Sequence, residues 1–159
     1  MSMYFIGIDI SKYKHDCCII SAANQKVVSK VIIKNNKAGF NELLTIIHSL
    51  ANPADIRIGF ESTAHYALNL ELFLENSLLT FMEVNPVLIS EYKKSKTLRR
   101  TKTDSVDCES IARWLMTVEY KPHSKGFYHA YSLKSLTRLR DRLVRQRSFY
   151  LVKITNVLD

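Results

Sequence analysis

Glycine and proline are scarce in this chain, at 4 and 3 residues in 159. So few glycines leave little room for the loops that cradle phosphate with backbone amides. Cysteine is sparse too. Cys17, Cys18 and Cys108 are odd in number and lack any C-x-x-C spacing, which suits buried, reduced thiols in a cytosolic protein. His15, His48, His65, His123 and His129 show no ligand spacing, and that argues against a zinc site. No apolar run approaches the ~20 residues of a membrane span, and no secretory leader is visible. A cytoplasmic protein without a membrane segment is expected.

What remains is an ordinary balance of apolar and charged residues, enough for one domain with a real core and an appendage. Its charge is unevenly placed. Residues 1–91 carry 7 Lys+Arg against 9 Asp+Glu, whereas residues 92–159 carry 16 against 6. The whole excess of +8 thus comes from the second half, which suggests a polyanion partner.

Two strands hold the chemistry. In Tyr4-Phe5-Ile6-Gly7-Ile8-Asp9-Ile10-Ser11, alternation puts Tyr4, Ile6, Ile8 and Ile10 on one face and Phe5, Gly7, Asp9 and Ser11 on the other. The stretch Ile56-Arg57-Ile58-Gly59-Phe60-Glu61 repeats the design, with Gly59 and Glu61 sharing a face. In each strand a glycine lies two positions before an acid and leaves room beside it. Side by side and parallel, the strands make Asp9 and Glu61 neighbours. Two carboxylates about 4 Å apart repel by roughly 4 kcal/mol at an effective dielectric near 20. Such a pair shares a proton or binds a cation.

Between these strands, β-branched residues at 15–20 and 27–33 predict an antiparallel meander continuing from the first strand. Phe40, Leu43, Leu44, Ile47 and Leu50 then mark an amphipathic helix that ends before Pro53. Ser62 and Thr63 are good caps for a helix over 64–76. A short strand follows at 78–84, then a helix over 86–94 opened by Asn85-Pro86. Residues 95–103 read as a loop and 104–118 as a helix. The order predicts a ribonuclease H-like α/β fold, a mixed five-stranded sheet flanked by helices with its first and fourth strands parallel neighbours. Residues 1–120 form this domain, 121–131 a linker, and 132–159 the start of a long helical segment.

Asp104 and Asp107 stand three apart at a helix start and project from one face of its first turn. Alone, such acids cap free amides and complement the helix dipole. Joined to Asp9 and Glu61, they make a four-carboxylate set suited to two Mg²⁺ ions, which want hard oxygen ligands.

Here the chain resembles the N-terminal domain of the DEDD transposases of the IS110 insertion-sequence family, which also contains Piv-type DNA invertases. The resemblance rests on three stretches. They are Gly7-Ile8-Asp9-Ile10-Ser11-Lys12, then Glu61-Ser62-Thr63 with Tyr66, then Val84-Asn85-Pro86 leading to Lys102-Thr103-Asp104 with Asp107, Ile111 and Ala112. It implies that Asp9, Glu61, Asp104 and Asp107 are catalytic and bind Mg²⁺, with Mn²⁺ as a substitute. Cleavage and strand transfer on DNA follow from it, and a structured bridge RNA is a further partner it suggests. Cys108 replaces an alanine often found after the last acid. The family continues into a second domain carrying a serine used in strand exchange, so a chain stopping at Asp159 is expected to be the first half of such an enzyme, inactive or incomplete alone.

The closing helix fits that expectation. Leu136, Leu143, Tyr150 and Val157 recur every seven residues, with Leu139 and Ile154 filling the seam, as in a coiled coil that joins copies of the chain. Two basic sets accompany it. Lys93, Lys94, Lys96, Arg99, Arg100 and Lys102 lead into the aspartate pair, and Arg138, Arg142 and Arg145 stud the helix beside Arg140 and Arg147. Both sets are candidates for phosphate contact, which gives affinity and salt dependence without base readout. Two rival classes remain. An actin-like sugar kinase also opens on an aspartate-bearing strand, but it needs a glycine-rich loop next, and Ile10-Ser11-Lys12 has no glycine. A nucleic-acid-binding and dimerisation module with structural acids is the non-enzyme alternative.

Overall fold

The computed structural model describes residues 3–61, 66–96, 104–123 and 127–158, of which 96, 104–106, 127–132, 134 and 158 contribute backbone only. Strands β1 (Tyr4–Ile10), β2 (Lys14–Ser21) and β3 (Val27–Lys34) form the expected antiparallel meander. After helix α1 (Lys37–Leu50), strand β4 (Ile56–Glu61) pairs parallel with β1. Helix α2 (Leu68–Asn76) leads to β5 (Phe81–Val84), parallel to β4. Helices α3 (Pro86–Lys96), α4 (Asp104–Leu115) and α5 (Phe127–Leu158) complete the order. The five-stranded sheet runs β3-β2-β1-β4-β5, so β1 and β4 are central, as the sequence predicts.

Alternation along the central strands sorts the core into two layers. Ile6, Ile8, Ile10, Ile56, Ile58 and Phe60 pack with Phe40, Leu43 and Ile47 of α1 and Leu70 and Leu74 of α2. On the opposite face, Phe5 packs with Ile89 of α3 and Ile111, Trp114 and Leu115 of α4. The acid-bearing face is therefore the α3/α4 face. Cys17 and Cys18 fall on opposite faces, in separate clusters, and both are buried free thiols. Burial pushes the Cys17 thiol well above its ordinary pKa.

Local caps explain most boundaries. The Asn36 carboxamide oxygen accepts from the Gly39 amide at 3.0 Å and opens α1. Asn85 does the same for Val87 at 3.0 Å, with Pro86 starting α3. Within residues 1–120, three boundaries differ from expectation by three residues or more. Helix α2 begins at Leu68, after Ala67, which makes no side-chain cap bond. The proposed caps Ser62 and Thr63 lie outside the described residues. Strand β5 begins only at Phe81, because Leu78 takes a positive φ of 57° and the Leu79 amide bonds back to the Leu74 carbonyl. Those residues terminate α2 instead. Helix α4 ends at Leu115, where Met116 and Thr117 donate back to Arg113 and Trp114.

The chain divides into two compact units, Met1–His123 and Ser124–Asp159. Helix α5, taken by itself, starts at Phe127, six residues before Leu133, where its apolar pattern begins. Its seam residues Leu136, Leu139, Leu143, Tyr150, Ile154 and Val157 are exposed. Among the described residues no helix is long and apolar enough to cross a membrane.

Candidate metal centre and nucleic-acid interface

Asp9 stands near the end of β1 and Glu61 at the end of β4, and both are half-buried. The strands pair Gly7 with Gly59 and Ile8 with Phe60, so one further step brings Asp9 level with Glu61. The parallel pairing of the two strands is as the sequence predicts, whereas the room left by the glycines is taken by another element. A Cβ on Gly7 would lie 2.2 Å from the Cys108 carbonyl oxygen and 2.4 Å from the Ala112 amide nitrogen. Gly7 thus makes room for the backbone of α4, which rests directly on β1. On Gly59 a Cβ would meet the Leu115 side chain at 2.7 Å. Both glycines serve the docking of the helix that carries Asp107.

Burial holds the Glu61 carboxyl above the usual carboxylate range. The Lys93 ammonium opposes that rise, and the negative charge of Asp107 adds to it. Lys93 Nζ donates to Asp107 Oδ1 at 2.7 Å, and both side chains are about three-quarters covered. Asp107 and Glu61 thus lie within electrostatic reach of one another and of one ammonium.

Asp104 opens α4 in the chain trace, with its side chain outside the described residues. Among the described residues, no three His, Cys, Asp or Glu side chains converge to hold a metal ion. The donors that are present are nevertheless hard carboxylate oxygens, and a cation, the Lys93 ammonium, already lies among them. That chemistry fits a divalent ion of the Mg²⁺ type.

Three features escaped the sequence reading. Asp16, only 8% exposed, sits directly opposite Asp9 across the β1–β2 hairpin and so shares its face. Counting back from the turn at Lys12 and Tyr13 would have found it. Asp16 pairs with Lys14 at 3.4 Å. Glu109 accepts from Lys30 of β3 and Arg113 of α4, each at 2.8 Å, and ties α4 to the sheet. The Lys30 hydrogen bond, the larger of the two influences, holds the Glu109 carboxyl below its usual range. Lys93 is the third, placed by sequence with the phosphate-binding cations and found on the acids.

Of the other basic candidates, Lys94 is exposed on α3. The side chain of Lys96 lies outside the described residues, as do Arg99, Arg100 and Lys102 entirely. Arg138, Arg142 and Arg145 are exposed on α5 at spacings of four and three, along one stripe. Arg145 pairs with Asp141 at 3.0 Å.

A mixed sheet in this order, with acids at the ends of its central parallel strands and a helix laid over them, defines a ribonuclease H/RuvC-like domain. The solved structures agree on the fold. RuvC of Thermus thermophilus, alone and in complex with a Holliday junction substrate, superposes with a TM-score of 0.53 at 11% identity. The match covers 76% of this chain and 99–100% of those chains. Residues 6–159 match the IS110-type DEDD family described as "Transposase", and the chain belongs to that family. The pilin gene-inverting proteins of Moraxella bovis and Moraxella lacunata are each 33% identical to it over 115 residues. Those residues are 72% of this chain, which spans about a third of the length of these curated relatives (34%).

Proposed function

We propose that residues 1–120 are the metal-dependent nuclease domain of a DNA transposase or recombinase. The observation that carries this is the β1–β4 register, which brings Asp9 and Glu61 to one end of adjacent strands beneath the helix bearing Asp107. Asp9, Glu61, Asp104 and Asp107 would hold Mg²⁺, or Mn²⁺ in its place. When bound, such ions activate an attacking oxygen and stabilise the leaving oxygen of a phosphodiester. The protein's part is to fix the carboxylates. Strand pairing sets Asp9 and Glu61, and the contact of α4 on Gly7 sets Asp107. Lys94, Lys96, Arg99, Arg100 and Lys102 would steer the DNA backbone toward them, with Arg138, Arg142 and Arg145 as a second contact. A structured RNA partner is proposed on family resemblance alone, and the same cations would suit it.

Within a full-length enzyme the domain is expected to nick branched DNA in Mn²⁺, and EDTA or Asp9→Asn should abolish the activity. Alanine at Lys94, Arg99 and Arg100 together should weaken binding of every DNA sequence alike and flatten its salt dependence. Branched DNA bound without nicking in either metal would favour the second reading, a binding and dimerisation module. That reading draws support from the lack of a converged acid trio among the described residues.

Helix α5, which begins at Phe127 and so takes in the last residues of the expected linker 121–131, would join copies of the chain. The exposed seven-residue repeat of α5 supports that role. Sedimentation should show an assembly for residues 1–159 and a monomer for residues 1–131. A monomer in both would overturn the assignment.

A further inference from the structure

Lys93 is the cation nearest the candidate centre that the described structure shows. It approaches from α3, whereas its partner Asp107 belongs to α4, 14 residues further along the chain. The bond is short, at 2.7 Å, and both partners are largely shielded from water. The ammonium also acts on Glu61, the acid at the end of β4. One positive charge thus acts on carboxylates from a strand and a helix, Glu61 and Asp107. A lysine on an open surface would gain little from such a bond. Here it offsets repulsion between two acids whose positions are fixed by the sheet and by the seat of α4 on Gly7.

We propose that Lys93 is a built-in counter-cation, holding the acids in place in the metal-free protein and giving way to the divalent ion when it binds. This inference rests on the metal-binding reading above. A divalent ion brings twice the charge and takes several oxygens at once, so it and the ammonium compete for Asp107. Both cannot hold the same lone pairs. Lys93 is accordingly a positioning residue, and on release from Asp107 its ammonium would remain on α3 beside the centre, at the head of the basic run in residues 93–102.

Two measurements test the proposal. In the first, Mn²⁺ is titrated calorimetrically into wild type, Lys93→Met, Asp9→Asn and the exposed-site control Lys26→Met. Lys93→Met is expected to bind Mn²⁺ about tenfold more tightly, equivalent to about 1.4 kcal/mol, with Lys26→Met unchanged. In the second, wild-type chain is acetylated with an amine-reactive ester, with and without Mn²⁺, and each lysine is followed by mass spectrometry. Metal should raise the rate at Lys93 several-fold and leave Lys26 unaltered, a readout that needs no variant to fold. If wild type binds Mn²⁺ and Asp9→Asn does not, while Lys93→Met binds no tighter and Lys93 labels at one rate throughout, the counter-cation role is overturned and the metal site stands. If no protein in the series binds Mn²⁺, both readings fall together.

Discussion

Gly7→Ala is expected to unseat α4 and to destabilise the Met1–His123 unit by about 3 kcal/mol, at the upper end of ordinary overpacking costs. The added methyl would lie 2.2 Å from one backbone atom of α4 and 2.4 Å from another. No side chain can turn aside to make room, because the obstruction is the helix itself. Nor can α4 move freely, since Glu109 ties it to Lys30 on β3. The same substitution at Gly59 makes a useful contrast. There the methyl meets the two ends of the Leu115 side chain at 2.7 and 2.9 Å, and a rotamer change can relieve them. Gly59→Ala should therefore cost only about 1 kcal/mol, and Leu115→Val should recover part of it in the double variant. Urea unfolding of wild type, both single variants and Gly59→Ala/Leu115→Val checks this. Equal costs for the two glycines would show that α4 is not seated by Gly7.

The second large effect is on the metal. Mg²⁺ at 100 times its dissociation constant should stabilise the wild-type chain by about 2.7 kcal/mol, because the dispersed acids of the unfolded chain cannot gather the ion. For a unit of this size the shift is roughly 10 °C in melting temperature. Asp9→Asn should remove most of that shift, since an amide is a poorer ligand for a hard cation. Without metal it should melt somewhat higher than wild type, because one repelling charge is gone and no cavity is made. Acids acting only as helix caps give a different pattern. Asp104→Ala would then cost about 1 kcal/mol, and Mg²⁺ would move no curve. Melting in EDTA and in Mg²⁺ for these three proteins separates the accounts. A wild-type curve unmoved by millimolar Mg²⁺ and Mn²⁺ alike would rule out a preformed site.

Much of the architecture was legible because it is written in short-range patterns. Alternation in Tyr4–Ile10 and Ile56–Glu61 assigns faces directly, and the order of strands and helices leaves few ways to arrange the sheet. The cap at Asn36 and the Asn85-Pro86 pair announce their helices equally plainly. What could not be read depends on which elements cross. The sequence shows Gly7 as space beside Asp9, and only the path of α4 shows whose space it is. Lys93 was grouped with its basic neighbours in sequence, while its partner is set by how α3 lies against α4. Asp16 falls opposite Asp9 only once the hairpin is centred on Lys12 and Tyr13, which the alternation of β2 alone does not give. Leu78 looked like the start of a strand because it is apolar, yet its positive φ ends the preceding helix.

The seat of α4 on Gly7 also bears on the order in which the protein can be built. Within the Met1–His123 unit Asp9 is made first, Glu61 follows at its middle, and Asp107 lies near its far end. The β1–β2–β3 meander joins neighbours in sequence and can form early. Contacts between β1 and α4 close almost the full length of the domain, and such long-range closures are slow to form. A nascent chain that has not yet reached residue 115 carries Asp9 and Glu61 without the helix that faces them. The order of synthesis thus keeps Asp107 apart from Asp9 and Glu61 until the domain is complete.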